Sequence, residues 1–347
     1  MRDFISGPAC FRLAITGLAL ALWACAAPAA AQQMTKSLQG GGPEEAQRQR
    51  QVNSWIVTVA ASRDDASMRF ADELGRALND GDDLRVLPVA ARGPAGNVED
   101  LLNLHDIDLA LTQTDVLEYF RTERKTTLDN RIQYIARLPA AELHVAAPES
   151  IHTLEELRGH KVVFGPPGSA AAVTGPLVFR RLGIAVKPVF IDLPAGIGLV
   201  KSGEAAALLT VDAKPSDIWL RVPPYAGLHF LPVPHAKALA DLYPADALTS
   251  ADYPNLIGPD ERVDTIAVLG VVAVQNMPKT DDRFRRVLRF VQYLSARWDR
   301  LGGSTFYPGW REVSLATTVP GWTRFSPSEV FRQFILWRDQ QYSRRAP

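Results

Sequence analysis

One alternation constrains this chain more than any other feature. A short β-branched run leads into a turn rich in Gly, Pro, Asn or Ser, and then into a segment with apolar residues at helical spacing. WIVTVA, from Trp55, precedes a polar turn and a helix carrying Phe70, Leu74, Ala77 and Leu78 on one face. LRVLPVA leads through Arg92, Gly93, Pro94, Ala95 and Gly96 to a helix opened by Asn97. IDLALT, from Ile107, leads through Gln113, Thr114 and Asp115 to another. Strand–turn–helix units in succession need right-handed crossovers, so they predict a mostly parallel sheet.

A second series follows. ELHVAA from Glu142, KVVF from Lys161, KPVFIDL from Lys187 and AALLTV from Ala206 read as strands with turns and helices between them. TIAVLGVVAVQ, from Thr265 to Gln275, is a long β-branched run. A helix from Asp281 to Leu301 follows it, with Phe284, Val287, Leu288, Val291 and Leu294 on its apolar stripe. The pattern predicts two α/β lobes, with lobe 1 formed by 55–142 and 268–347 and lobe 2 by 143–267. The chain crosses outward near Leu143–Ala147 and returns along Thr265–Gln275, which places a ligand cleft between the lobes.

The N-terminal residues point to export. Arg2 and Arg12 precede an apolar run too short to span a bilayer, and Ala29-Ala30-Ala31 matches a small-residue cleavage site, so 1–31 reads as a signal peptide. Lipidation at Cys25 ranks below cleavage near Ala31, because Trp23 fits a lipidation site poorly. Residues 32–54, rich in Gln, Gly, Glu and Arg, read as a disordered linker. Both cysteines, Cys10 and Cys25, precede the cleavage point, so the exported chain has no disulfide, no thiolate chemistry and no Cys-ligated metal. Lys and Arg number 38 and Asp and Glu 38, interspersed, which gives no basic face for a nucleic acid. No later segment approaches the ~18 continuous apolar residues of a membrane helix. The expected location is the periplasm.

Catalytic and metal motifs are thin. The histidines show no His-x-x-x-His spacing, and no Gly-x-Ser-x-Gly elbow occurs, so neither an enzyme nor a metal or other cofactor is expected. Glu142 and His144, two apart on a strand face, are read either as an acid–base pair or as a strand-end salt bridge. The turn Gly165-Pro166-Pro167-Gly168-Ser169 lacks the lysine of a phosphate loop. Two readings of it stay open: a nest of donors for a carboxylate, or an ordinary turn with a capping serine. Pro176 requires either that the following helix begin near Thr174 or that it bend.

Turns at the C-terminal ends of parallel strands are where such sheets bind ligands. The candidates there are Ser62, Arg63, Ser67, Arg92, Gly96, Asn97, Gln113, Thr114, Gly168, Ser169 and Lys214. Arg63, Arg92 and Lys214 offer cations for a carboxylate, while Asn97 and Thr114 have an alternative use as helix caps. In the tail, a Pro-Gly-Trp triplet recurs at Pro308 and Pro320, and a last helix shows Val330, Phe331, Phe334, Ile335 and Trp337. These aromatics are expected to pin a C-terminal extension onto the first lobe, with a ligand or docking surface as the alternative.

Taken in order, five segments resemble the TAXI-type solute-binding proteins of tripartite ATP-independent periplasmic (TRAP) transporters. They are GNVEDLLNLHDIDLALTQTDVLEYF, RIQYIARLPAAELHVAA, TLEELRGHKVVFGPPGSA, LGIAVKPVFIDL and the strand around Val268–Val274. The resemblance implies a type II periplasmic binding-protein fold with a two-strand hinge. It implies a receptor that binds a small carboxylate, such as glutamate, 2-oxoglutarate or a C4-dicarboxylate, and delivers it to the TRAP membrane permease. Its ligand-facing turns would be Ser62–Ser67, Ala95–Asn97, Gln113–Asp115, Gly165–Ser169 and Asp212–Lys214. The chain departs from the family pattern at Met68 and Arg69, where aromatics are usual, at Pro139 for a tyrosine and at Ala171 for a threonine. A binding module with a degenerate site, acting as a sensor or partner-binding protein, is the alternative. An enzyme using Glu142, His144 or Asp64 ranks last.

Overall fold

The computed structural model describes residues 56–62, 66–81, 83–224, 226–303, 305–326, 331 and 333. The expected signal peptide, the linker, Arg63, Asp64 and, apart from Phe331 and Gln333, the last helix lie outside them.

Three strand–helix units open the fold. They are β1 (Ile56–Ser62) and α1 (Ala66–Leu78), β2 (Arg85–Ala91) and α2 (Pro94–Asn103), and β3 (Leu109–Gln113) and α3 (Val116–Thr122). β4 (Ile132–Pro148) then crosses out of this half. Beyond it come β5 (Lys161–Val163), α4 (Ala170–Arg181), β6 (Lys187–Val189), α5 (Leu193–Lys201), β7 (Ala207–Asp212) and α6 (Asp217–Leu220). After β8 (Leu228–Phe230) and β9 (Ala245–Thr249), β10 (Arg262–Gln275) returns the chain, followed by α7 (Asp282–Ala296) and α8 (Trp298–Leu301).

The strand order is β2-β1-β3-β10-β4-β7-β5-β6, with β8 on β4 and β9 on β10. β1 pairs parallel with β2 and β3, and β5 pairs parallel with β6 and β7. β10 runs antiparallel to β3, and β4 antiparallel to β7. Each half therefore repeats one plan: second strand, first strand, third strand, then an antiparallel crossing strand. That plan, with two crossing strands joining two α/β lobes around a cleft, is the type II periplasmic binding-protein fold.

Side-chain alternation sets the layers. Val57, Val59 and Ala61 of β1 face α1 and α7, whereas Ala60 faces α2 and α3. In the second lobe Val162 and Leu209 pack on one side with Val178 and Phe179, and Val163 and Leu208 on the other with Val200 and Trp219. All of these are nearly or fully buried, and burying each of the Val, Leu and Phe side chains stabilises the fold by about 1.5–3 kcal/mol.

The structure moves several sequence-read boundaries. β4 begins at Ile132, not Glu142, so the outward crossing is a 17-residue strand. It carries Pro139 in its interior, which is tolerated because the β4–β10 register slips there, between the Leu269 and Val271 pairings. Gly270 sits at that slip. A Cβ on it would stand 2.9 Å from Leu138 Cβ, so only glycine fits against the bulge. Asn97 does not open its helix: α2 starts at Pro94 after Gly93, and Asn97 is buried inside it. Nor does Thr114 cap: the N-cap of α3 is Asp115. Ser169 does cap α4, its Oγ accepting from Ala172 N at 3.3 Å, and Pro176 lies inside that helix. The long C-terminal helix is interrupted at Arg297 between α7 and α8.

The segment after α8 packs on the first lobe. Glu73 of α1 is 3 % exposed and accepts from Tyr307 N at 3.0 and 3.1 Å and from Trp310 Nε1 at 2.6 Å. Trp310 meets Phe70 edge-on at 4.8 Å, and Trp322 Nε1 donates to Thr114 O at 3.0 Å. A buried donor left without its acceptor costs about 1–3 kcal/mol. Glu73→Ala is therefore expected to lower stability by about 3 kcal/mol in urea unfolding, and Glu73→Gln, which keeps an acceptor, by about half as much.

Candidate functional site

The strand ends converge where β4 and β10 cross. A cavity of about 100 Å³ lies there, walled by Ser62 at the end of β1, Thr112 and Gln113 of β3, and Asp212 of β7. The crossing strands supply its back through Pro139 and Gly270, and Ser67 and Tyr307 close one side. Parallel strands end on this face in both lobes, which is why one polar residue from each reaches the same space. Ser62, Ala170, Val211 and Asp212 also line a wider outer groove of about 1100 Å³, so the cavity is continuous with it.

The sequence candidates divide by position. Ser62, Ser67 and Gln113 line the inner cavity, and Ser62, Arg92 and Ser169 line the outer groove. Gly96, Asn97, Thr114, Gly168 and Lys214 line neither, and Arg63 lies outside the described residues. Ser62 N donates to Ser67 Oγ at 2.9 Å, which ties the end of β1 to the start of α1. Asn97 Nδ2 donates to Leu111 O at 2.7 Å and locks α2 onto β3.

Two of the expected cations are already engaged. Lys214 Nζ lies 2.5 Å from Asp246 Oδ1 and donates to Ala247 O at 2.7 Å. Arg92 pairs with Glu99 at 3.3 Å and Asp100 at 3.1 Å. Among the described lining residues of the inner cavity there is no Lys or Arg, and the charged group is Asp212. Asp212 Oδ1 accepts from Ala213 N at 2.9 Å and Oδ2 from Ser216 Oγ at 2.6 Å. Burial pushes its pKa above the usual carboxylate value despite these bonds.

Glu142 and His144 do not meet through their side chains. His144 Nδ1 bonds the main-chain carbonyl of Glu142 at 2.9 Å, and Nε2 bonds Tyr253 OH at 2.7 Å. Burial pushes the imidazole down to about 4, so it is neutral at physiological pH. The Glu142 carboxylate accepts from Lys214 N at 2.9 Å, and burial raises it to about 7. Neither residue lines either cavity.

The lobes meet beside the cavity. Gly93 and Gly168, at φ 110° and 85°, bring the two turns together: a Cβ on Gly93 would stand 1.9 Å from Gly168 O, and one on Gly168 2.5 Å from Arg92 O. Deeper in, Val173 of α4 is fully buried against Ala95, Val98 and Val116 of the first lobe. Asp115, fully buried, accepts from Thr174 Oγ1 at 2.7 Å, Tyr243 OH at 3.0 Å and Gln113 Nε2 at 3.1 Å. Arg181 joins Glu118 to Asp241, the latter at 2.6 Å. This seam was not visible in the sequence, because its members come from 113–118, 174–181 and 241–243. Tyr307 was likewise missed, since nothing near it marks a cavity residue; Asp212 ends a strand and falls in a turn that the family resemblance marks as ligand-facing.

No family model and no curated protein matches the sequence. Among solved structures, the chain is similar to the alkanesulfonate-binding protein SsuA from Xanthomonas axonopodis pv. citri bound to MOPS, with 15 % identity over 84 % of this chain and 93 % of that one and a TM-score of 0.42. It is similar to the periplasmic aliphatic sulphonate binding protein SsuA from Escherichia coli, with 14 % identity over 83 % and 93 % and a TM-score of 0.43. The amino acid ABC transporter substrate-binding protein AbpA from Streptococcus pneumoniae, bound to L-arginine, shares 13 % identity over 76 % and 98 % with a TM-score of 0.40. At such identity and overlap these likenesses say nothing about ligand. The fold class stands on this chain's own strand order.

Asp115 gives the seam a measurable pH signature. Burial raises its pKa from 3.8 to about 6, against the hydrogen bonds from Thr174, Tyr243 and Gln113 that lower it. The folded protein therefore holds this proton more tightly than the unfolded chain, and stability from this group falls as pH rises from about 4 through about 6. Asp115→Asn removes the dependence. Its destabilisation relative to wild type is expected to shrink by about 2 kcal/mol between pH 4.5 and 7.5 in urea unfolding.

Proposed function

We propose that the protein is an extracytoplasmic solute receptor that holds a small organic anion in the cavity at the lobe crossing and delivers it to a membrane permease of the TRAP type. The observation that carries this reading is the cavity itself, backed by both crossing strands and walled by strand ends of both lobes. Hinge strands let two lobes part and close, and a ligand seated between them favours the closed arrangement. At roughly 10–15 Å³ per water-sized position, about 100 Å³ accommodates roughly seven to ten non-hydrogen atoms, the size of a C4 or C5 acid.

The carboxylate reading, drawn from the family resemblance, turns on Arg63. It lies in sequence between Ser62 and Ala66, both of which line the cavity, whereas Arg92 and Lys214 are paired elsewhere. The N-terminus of α4 contributes Ala170 to the same wall, and such helix ends favour anions. Among the described residues no helix is long and apolar enough to cross a membrane. Export and a permease partner rest on the N-terminal residues and the resemblance. The engaged state of Arg92 and Lys214 favours one second reading, a binding module with a degenerate ligand site.

Thermal unfolding across mono- and dicarboxylates separates the two. A ligand at a hundredfold excess over its Kd stabilises by about 2.7 kcal/mol, and Arg63→Ala is expected to abolish the shift. Absence of a shift with every acid at millimolar concentration would leave the degenerate module.

A further inference from the structure

We propose that the C-terminal segment forms a working wall of the ligand cavity, in which Tyr307 and Asp212, one from each lobe, select ligands bearing a hydrogen-bond-donating substituent. This rests on the receptor reading above and adds which substituent the cavity prefers.

Tyr307 belongs to neither strand–helix series, yet it lines the cavity. Its position is held from several sides. Its main-chain N–H bonds both carboxylate oxygens of buried Glu73, and its ring stands edge-on to Phe70 at 5.5 Å. Arg69 lies over the ring, 5.0 Å from its centre. Gly309 makes room for it: a Cβ there would stand 2.4 Å from Tyr307 Cε1 and 3.3 Å from Pro139 of the hinge. The ring is wedged between the C-terminal segment and the crossing strand. Its hydroxyl, a donor and an acceptor, has no hydrogen-bond partner among the described residues.

Asp212 lines the same cavity from the second lobe. A carboxylate offers about four acceptor sites, and Ala213 N and Ser216 Oγ occupy two. No Lys or Arg pairs with it among the described residues, and the like charge of Asp217 adds to the rise in its pKa. Burial raises the pKa of the Tyr307 hydroxyl, as do the negative charges of Glu312, Asp212 and Glu142, with Arg69 opposing them. The Asp212 end of the cavity thus keeps acceptor capacity that no donor fills, beside a Tyr307 hydroxyl that can donate or accept. A ligand hydroxyl or ammonium donates there. A ligand carbonyl oxygen, an acceptor only, faces a carboxylate oxygen and is disfavoured.

Glutamate, 2-hydroxyglutarate and 2-oxoglutarate share a carbon skeleton and differ at one carbon, as ammonium, hydroxyl and carbonyl. Titration calorimetry of the purified protein with the three is expected to show the first two binding at least tenfold tighter than the third. Asp212→Asn should collapse that preference. Tyr307→Phe should weaken glutamate and 2-hydroxyglutarate several-fold while leaving the Tm of the unliganded protein within about a degree. Equal binding of all three acids to the wild type overturns the proposal and leaves the receptor reading standing, as does Tyr307→Phe with all affinities unchanged. No binding of any of the three removes this proposal and counts against the organic-anion reading itself.

Discussion

The pairing of β4 with β10 is the interaction on which the rest depends. Among the described strands these two alone belong to both lobes, and each serves as the antiparallel member of one lobe's sheet: β10 beside β3, β4 beside β7. Their register slip at Pro139 and Gly270 falls where the sheet passes from one lobe to the other. A proline without an N–H and a glycine without a Cβ make the slip sterically possible. The cavity lies against that irregularity, so the hinge and the back wall of the site are the same residues.

A second contact ties the lobes together. The seam around Asp115, Thr174 and Tyr243 is buried and hydrogen-bonded, and Arg181 bridges Glu118 and Asp241 at its edge. Parting the lobes along it would expose Val173 and leave a buried carboxylate short of donors, which costs several kcal/mol. The Gly93–Gly168 approach, by contrast, is a backbone contact, and the outer groove runs past Gly93.

Much of the architecture was legible in local sequence. IDLALT followed by Gln-Thr-Asp, or KVVF followed by Gly-Pro-Pro-Gly-Ser, encodes strand, turn and helix through period, β-branching and turn chemistry within a dozen or so residues. The long return strand is visible for the same reason. The start of β4 was not: RIQYIARLP contains a proline that argues against a strand interior unless the partner strand slips, and the partner lies in β10.

The site was legible to a smaller degree. Ser62 and Gln113 reach the cavity because they end strands, and Ser67 because it opens the helix after β1; both features can be read from sequence. The charges could not be assigned that way. Whether Lys214 is free depends on Asp246, whether Arg92 is free depends on Glu99 and Asp100, and Tyr307 is held at the cavity by distant residues, Glu73 and Phe70 among them. The sequence by itself determined the alternating units, the two lobes and the strand-end turns, since short-range periodicity and turn residues specify them. Only the tertiary structure decided which polar groups stay available to a ligand. Electrostatic pairing depends on distance in space, and the pairing and anchoring groups at Lys214 and Tyr307 lie far from them along the chain.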